Sequence, residues 1–329
     1  MNNIIKFFDI NKREVSVPIE EQRQRWLKEF LKAFLVVFSV YACMYFVRNN
    51  LKAAQPLLKN QLGFTTSELG YIGFGFSITY AMGKTILGYF VDGKNAKRII
   101  STLLIMSATM VFIIGIILLS GNKAVGTILV FWGLSGFFQA PGGPSSYSTI
   151  SRWTPTNKRG RFLGFWNMSH NIGGALAGMI ALFGANTFFH GNVAGMFIVP
   201  AIVGICVGFV LLFVGKDEPQ ELGWNSAEEI FDEPRVQSDA EIEEMSKFEI
   251  FKKYVLTNPW IWVLCIANVF VYIVRIGIDN WAPLYVTEQL HFAMNDAVNT
   301  IFYFEIGALL GSLTWGYVSD LLKGRRAIV

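Results

Sequence analysis

Apolar runs of about 20 residues recur along this 329-residue chain, separated by short polar segments. A helix of about 20 residues crosses a hydrocarbon core of about 30 Å, and only a helix or a closed barrel satisfies its own backbone hydrogen bonds there. Runs near 30–52, 67–90, 99–120, 126–150, 162–185, 195–215, 258–288 and 296–318 predict eight transmembrane helices, here spans 1 to 8. The fold class expected is an all-α polytopic membrane protein. Composition agrees, with 16% charged residues and 53% hydrophobic ones, where a soluble domain has about 25% charged.

Lys and Arg alternate with the spans. Segments 1–32, 91–98, 151–161, 216–253 and 319–329 hold 7, 3, 4, 5 and 3 basic residues, and the other loops contribute essentially Lys59 and Lys123. Cytoplasmic loops carry such an excess, so both ends of the chain are expected in the cytoplasm. This asymmetry accounts for the net charge of +4 and gives no reason to expect a nucleic-acid partner. Cys43, Cys206 and Cys265 fall inside spans, without metal-ligand spacing or a disulfide framework. The first 30 residues contain no apolar stretch before a small-residue cleavage site and so do not form a secretory signal peptide.

An internal repeat organises the chain. Tyr45-Phe46-Val47-Arg48 and Tyr272-Ile273-Val274-Arg275 are each followed eight residues later by Pro-Leu, at Pro56 and Pro283. Gly83, Gly88-Tyr89, Asp92 and Lys97-Arg98 then match Gly311, Gly316-Tyr317, Asp320 and Arg325-Arg326 at an offset of 228, against 227 for the arginines. The second copy begins after the longest hydrophilic stretch, 216–253, which holds 12 of the 24 acidic residues. The domains expected are an N-terminal cytoplasmic segment (1–29), a six-span half (30–215), an acidic cytoplasmic loop (216–257) and the start of a second half (258–329). The sequence reads as a C-terminally incomplete six-plus-six arrangement, with like-oriented halves related by an axis along the membrane normal. Gly174 and Gly178, Gly204 and Gly208, and Gly307 and Gly311 have the four-residue spacing of close helix packing.

Arg48, Lys84 and Arg275 lie inside spans, where each costs about 2.5–3.5 kcal/mol on insertion scales. Snorkelling or a packing salt bridge is one account of them. The repeat favours another, in which the two arginines face a common axis and a ligand. A guanidinium fork matches phosphate bidentately and stays charged at any working pH. Asp279, four residues after Arg275, and Glu305 on span 8 either brace the helices or neutralise an arginine only while the site is empty. His170 shares a face of span 5 with Asn167 and Asn171, and suits either a neighbour's hydrogen bond or a third contact to phosphate. Tyr41 and Tyr45 are in phase with Arg48, and Tyr80 lies one turn before Lys84, so packing and cavity lining are both open for them. No phosphate-cradling Gly-rich loop with Lys-Ser/Thr, nucleophile constellation or metal spacing is present in the sequence, so neither an enzyme nor a cofactor is expected.

Arg159-Gly160, Trp166-Asn167 and His170-Asn171-Ile172-Gly173-Gly174 together closely resemble the signature of the organophosphate:phosphate antiporter family of the major facilitator superfamily. The segments from Gly88 to Arg98 and from Gly316 to Arg326 resemble the superfamily's less specific loop motif. The resemblance covers the whole chain and includes Ser77-Ile78-Thr79-Tyr80, Ser135-Gly136-Phe137-Phe138-Gln139 and Val274-Arg275-Ile276-Gly277-Ile278-Asp279. It implies a secondary transporter that takes up hexose 6-phosphate in exchange for inorganic phosphate by alternating access.

By the same resemblance, the substrate-binding residues fall on Arg48, Arg275, Lys84, His170, Tyr41, Tyr45 and Tyr80, and the gating or salt-bridge residues on Asp279 and Glu305. The partners implied are sugar phosphate, inorganic phosphate and the lipid bilayer, for a monomer in the cytoplasmic membrane of a bacterium. Glycerol-3-phosphate members space the arginine and aspartate of span 7 one residue further apart, which favours a sugar phosphate here. A glycerol-3-phosphate antiporter, or a sensor of external sugar phosphate that signals to a histidine kinase, are the alternatives. Relatives commonly have Lys after the span 1 arginine, where this chain has Asn49.

Overall fold

The computed structural model describes residues 6–91, 93–233 and 245–321. Asp92, Arg325-Arg326 and the loop acids Glu241, Glu243 and Glu244 lie outside the described residues. The long elements are α1 (Ile19–Leu62), α2 (Thr66–Val91), α3 (Ala96–Leu119), α4 (Val125–Gln139), α5 (Gly142–Trp153), α6 (Thr156–Phe188) and α7 (Gly195–Leu212). Short helices α8 (Ala227–Ile230) and α9 (Lys247–Ile250) precede α10 (Pro259–Glu288) and α11 (Met294–Leu321).

Local chemistry sets the boundaries. Gly63 takes the left-handed conformation (φ 66°) that ends α1, and its N–H returns to the Leu58 and Lys59 carbonyls. The Asn95 side chain caps α3 by accepting from Arg98 N, and Asn258 caps α10 by accepting from Trp260 N, with Pro259 in the first turn. The apolar run expected as one span over 126–150 is two helices, because Pro141 has no N–H to continue α4 and α5 restarts at Gly142. Among the described residues, seven stretches are long and apolar enough to cross a membrane, counting α4 and α5 as one. The second of the eight expected spans, α2, is long enough at 26 residues but is not among those seven. The chain is a multi-pass membrane protein.

Helices α1 to α7 pack into one group, with α1 against α6 and α7, α2 against α4, and α3 against α7. The pair α10 and α11 leans on this group, α10 on α1 and α11 on α6. Gly174 and Gly178 make the second contact possible. A Cβ on Gly174 would sit 2.6 Å from Glu305 Cδ, and one on Gly178 would sit 3.0 Å from Val298 Cγ1. The two groups meet near the Leu62 end of α1, where Lys59 pairs with Glu288. Towards the Pro259 end of α10 the apolar side chains Trp260, Phe270 and Ile273 are exposed, and the groups part.

The start of the hydrophilic loop is folded, although its composition reads as solvated. Trp224 and Ile230 join Phe30, Ala33 and Trp153 in a second core beside the bundle. Trp26 Nε1 donates to the Trp153 carbonyl (2.8 Å) and Trp153 Nε1 to that of Lys216 (3.1 Å). Residues 6–17 strap across this core, with Arg13 N donating to Gln220 O and Ser16 N to Gly223 O, both at 3.0 Å. Asp217, fully buried, accepts from Ala96 N (3.1 Å), Lys97 N (3.0 Å) and Thr149 Oγ1 (2.5 Å), and it pairs with Arg152. A carboxylate at the free N–H groups of α3 is favoured by the helix dipole. Burial pushes the neighbouring Glu218 carboxyl above the ordinary range, against the pull of Lys12 and Arg152.

Candidate functional site

Between the two groups lies a cavity of about 840 Å³. Its lining includes Tyr41, Tyr45, Arg48, Tyr80, Lys84, His170, Arg275, Asp279 and Glu305, so all nine candidates from the sequence border one space. Five helices supply them: α1 and α2 from the first copy of the repeat, α10 and α11 from the second, and α6, which adds His170.

Arg48 has no carboxylate partner among the described residues. Its guanidinium carbon lies 4.4 Å from the Tyr80 ring centroid, 5.0 Å from Tyr45 and 5.2 Å from Phe76. Three aromatic faces attract a cation electrostatically, and the buried Nε has no hydrogen-bond partner. The fork is therefore held in position with donor capacity to spare. Lys84 Nζ stands 5.0 Å from the centroid of the same Tyr80 ring. The His170 ring lies 5.5 Å from that of Tyr45, which in turn is 5.5 Å from Tyr41. Arg275 is exposed on the α10 side of the cavity.

The acidic residues brace helices, though not through an arginine. Asp279 was expected to pair with an arginine, but it accepts from Lys52 Nζ at 2.5 Å. Glu305 is 3.9 Å from the same Lys52 and accepts from Asn49 Nδ2 at 3.5 Å. Buried Lys52 thus ties α1 to both α10 and α11, and neither Arg48 nor Arg275 has a carboxylate partner among the described residues. The physical reason is position. Lys52 and Asp279 are repeat equivalents, 227 residues apart like Arg48 and Arg275, so the pseudo-symmetric approach of α1 and α10 brings them together. Each is followed four residues later by a proline, Pro56 or Pro283, that lacks the N–H to bond the Lys52 or Asp279 carbonyl. The signal was in the sequence: opposite charges at one repeat register. It was missed because Lys52 stood at the margin of the apolar run assigned to span 1.

Residues 37–329 match the Major Facilitator Superfamily. A hexose-6-phosphate:phosphate antiporter of Salmonella typhimurium is 47% identical over 322 residues, covering 97% of this chain and 70% of the relative. The chain belongs to this superfamily, in its organophosphate:phosphate antiporter family. The Escherichia coli K12 hexose-6-phosphate:phosphate antiporter shows the same 47% identity and coverage. A glycerol-3-phosphate transporter of Bacillus subtilis is 33% identical, covering 90% of this chain and 66% of that one. The same facilitator fold appears in a bacterial homolog of the human lysosomal transporter Spinster, solved inward-facing and unoccupied. The TM-score is 0.67 at 18% identity, and the match covers 90% of this chain and 64% of that one. In this facilitator, Asn49 makes a polar contact to Glu305, while Lys52, one turn on, carries the positive charge that meets the two carboxylates.

Proposed function

We propose that this protein takes up hexose 6-phosphate across the cytoplasmic membrane in exchange for inorganic phosphate, by alternating access. The observation that carries the reading is a pair of arginines, repeat equivalents, on opposite sides of one cavity with no carboxylate on either. A phosphoryl dianion accepts hydrogen bonds from both guanidinium forks. Lys84 and His170 add donors, Tyr45 and Tyr80 hold Arg48 in place, and Tyr41 packs on Tyr45. The identity to hexose-6-phosphate:phosphate antiporters supports the choice of a sugar phosphate.

With both chain ends in the cytoplasm, the Lys59–Glu288 and Lys52–Asp279 pairs fall on the outer side of Arg48, and the cavity opens inward. The Lys52–Asp279–Glu305 contact then acts as an outer lock. Halves that close around two unneutralised arginines bring like charges into a low-dielectric space, so the empty carrier reorients rarely. A bound dianion removes that obstacle, and exchange follows in place of net flow.

Proteoliposomes containing the protein test this. Labelled hexose 6-phosphate should enter vesicles loaded with inorganic phosphate and not those loaded with chloride. Equal uptake in both would remove obligatory exchange from the mechanism.

A further inference from the structure

Sorting the cavity's polar groups by hydrogen-bond capacity separates two kinds of subsite. Arg48, Lys84 and Arg275 can only donate, which suits phosphate oxygens. Asp279 and Glu305 Oε1 are occupied by Lys52 and Asn49. Among the lining amides, Gln55 on α1 and Asn171 on α6 are buried with an idle acceptor oxygen, as is Glu305 Oε2 among the carboxylates. The two amides are 5% and 3% exposed, and neither Gln55 Oε1 nor Asn171 Oδ1 has a hydrogen-bond partner. Buried amides are normally satisfied, so two orphaned ones bordering one cavity call for an explanation.

An idle acceptor oxygen gains nothing from a phosphoryl dianion, which has no proton to give. A sugar hydroxyl donates and accepts, and an amide offers both functions whichever way it is turned. Gln55 is seven residues beyond Arg48, about 10 Å along the axis of α1, and so faces a different part of any molecule whose phosphate sits on Arg48. Asn171 borders the same space from α6, adjacent to His170. We infer that Gln55 and Asn171 form a hydroxyl-recognising subsite that distinguishes an organic phosphate from inorganic phosphate. This rests on the sugar-phosphate reading above.

The test is a ratio. Half-saturating concentrations are measured for hexose 6-phosphate and for inorganic phosphate, in exchange against internal phosphate, for the unmodified protein, Gln55→Leu and Asn171→Leu. Each variant should raise the hexose 6-phosphate value about ten-fold more than the phosphate value, as expected for one lost hydrogen bond to a hydroxyl. A structural defect would shift both values together and overturn the inference, as would no shift in either. A second measurement needs no variant that must fold. Singly deoxygenated hexose 6-phosphates should compete with the unmodified protein's substrate less well than the parent sugar phosphate, and equal competition by every analogue would overturn the subsite. If the unmodified protein takes up no hexose 6-phosphate, it is the sugar-phosphate reading that fails. If it does so with an unmoved ratio, only the Gln55 and Asn171 assignment fails.

Discussion

The two copies of the repeat share a frame and differ in what they place on it. In the first, Arg48 is enclosed by Tyr45, Phe76 and Tyr80, with Lys84 close by. In the second, Arg275 is exposed, and the positions 228 residues after Phe76, Ser77, Tyr80 and Lys84 are Phe304, Glu305, Ala308 and Ser312. Arg48, Lys52 and Lys84 thus stand against Arg275, Asp279 and Glu305: three positive charges face a net single negative one. Duplication supplies a matched pair of arginines. The departures from it supply the aromatic cradle on one side and the carboxylates that lock the two sides together.

The largest expected effect comes from spoiling the matched pair. Arg48→Lys and Arg275→Lys should each lower the initial rate of phosphate exchange about a hundred-fold, since a point charge does not replace a bidentate fork. A lysine variant with a near-normal rate in proteoliposomes would break the equivalence of the two copies. Next come the unlike positions. Lys52→Ala leaves the buried Glu305 without a cationic partner, with an expected destabilisation of about 3–5 kcal/mol, while Asp279→Ala, which leaves Lys52 its contact with Glu305, should cost less. The swap that exchanges them, Lys52→Asp with Asp279→Lys, should recover most of the lost thermal stability in detergent. No recovery would mean that the pair does not interact.

Smaller effects sharpen the contrast at glycines. Gly174→Ala forces a Cβ to within 2.6 Å of Glu305 Cδ and 3.0 Å of Asn49 Nδ2, which should cost about 1–3 kcal/mol of stability. Gly311→Ala meets nothing within 4 Å and should leave the melting temperature nearly unchanged; equal losses at the two sites would contradict the packing described. The smallest effect is that of pH on the second core. The folded state raises the Glu218 carboxyl above its ordinary range, so it binds a proton there more tightly than the unfolded chain does. That contribution to stability is present at low pH and fades as pH rises from the ordinary carboxylate range through the raised value. Glu218→Gln should flatten this slope in thermal melts between mildly acidic and neutral pH, and an unchanged slope would assign it to another group.

Much of the architecture could be read before the fold was known, because a membrane leaves few options. Apolar length marked the helices, and spacing revealed the repeat and the arginine pair. What escaped the reading depended on tertiary approach. The break at Pro141 was hidden in a continuous apolar run. Asp217 and Glu221 fall in the stretch assigned to an acidic loop, yet they are buried, and Glu221 accepts from Asn95 Nδ2 at 2.9 Å. Asp279 has Arg275 one turn away on its own helix, but its partner is Lys52 on another. Local spacing favours the first pairing, and only the crossing of α1 and α10 reveals the second.

That crossing also coincides with a weakness in each helix. Pro56 and Pro283 leave the backbone one hydrogen bond short at Lys52 and at Asp279. The two rods are therefore fastened together at the places where each is most easily creased. Force applied to the fastening meets the softest part of both, so tilting one half against the other can be absorbed within α1 and α10 themselves, with no hinge needed in a connecting loop.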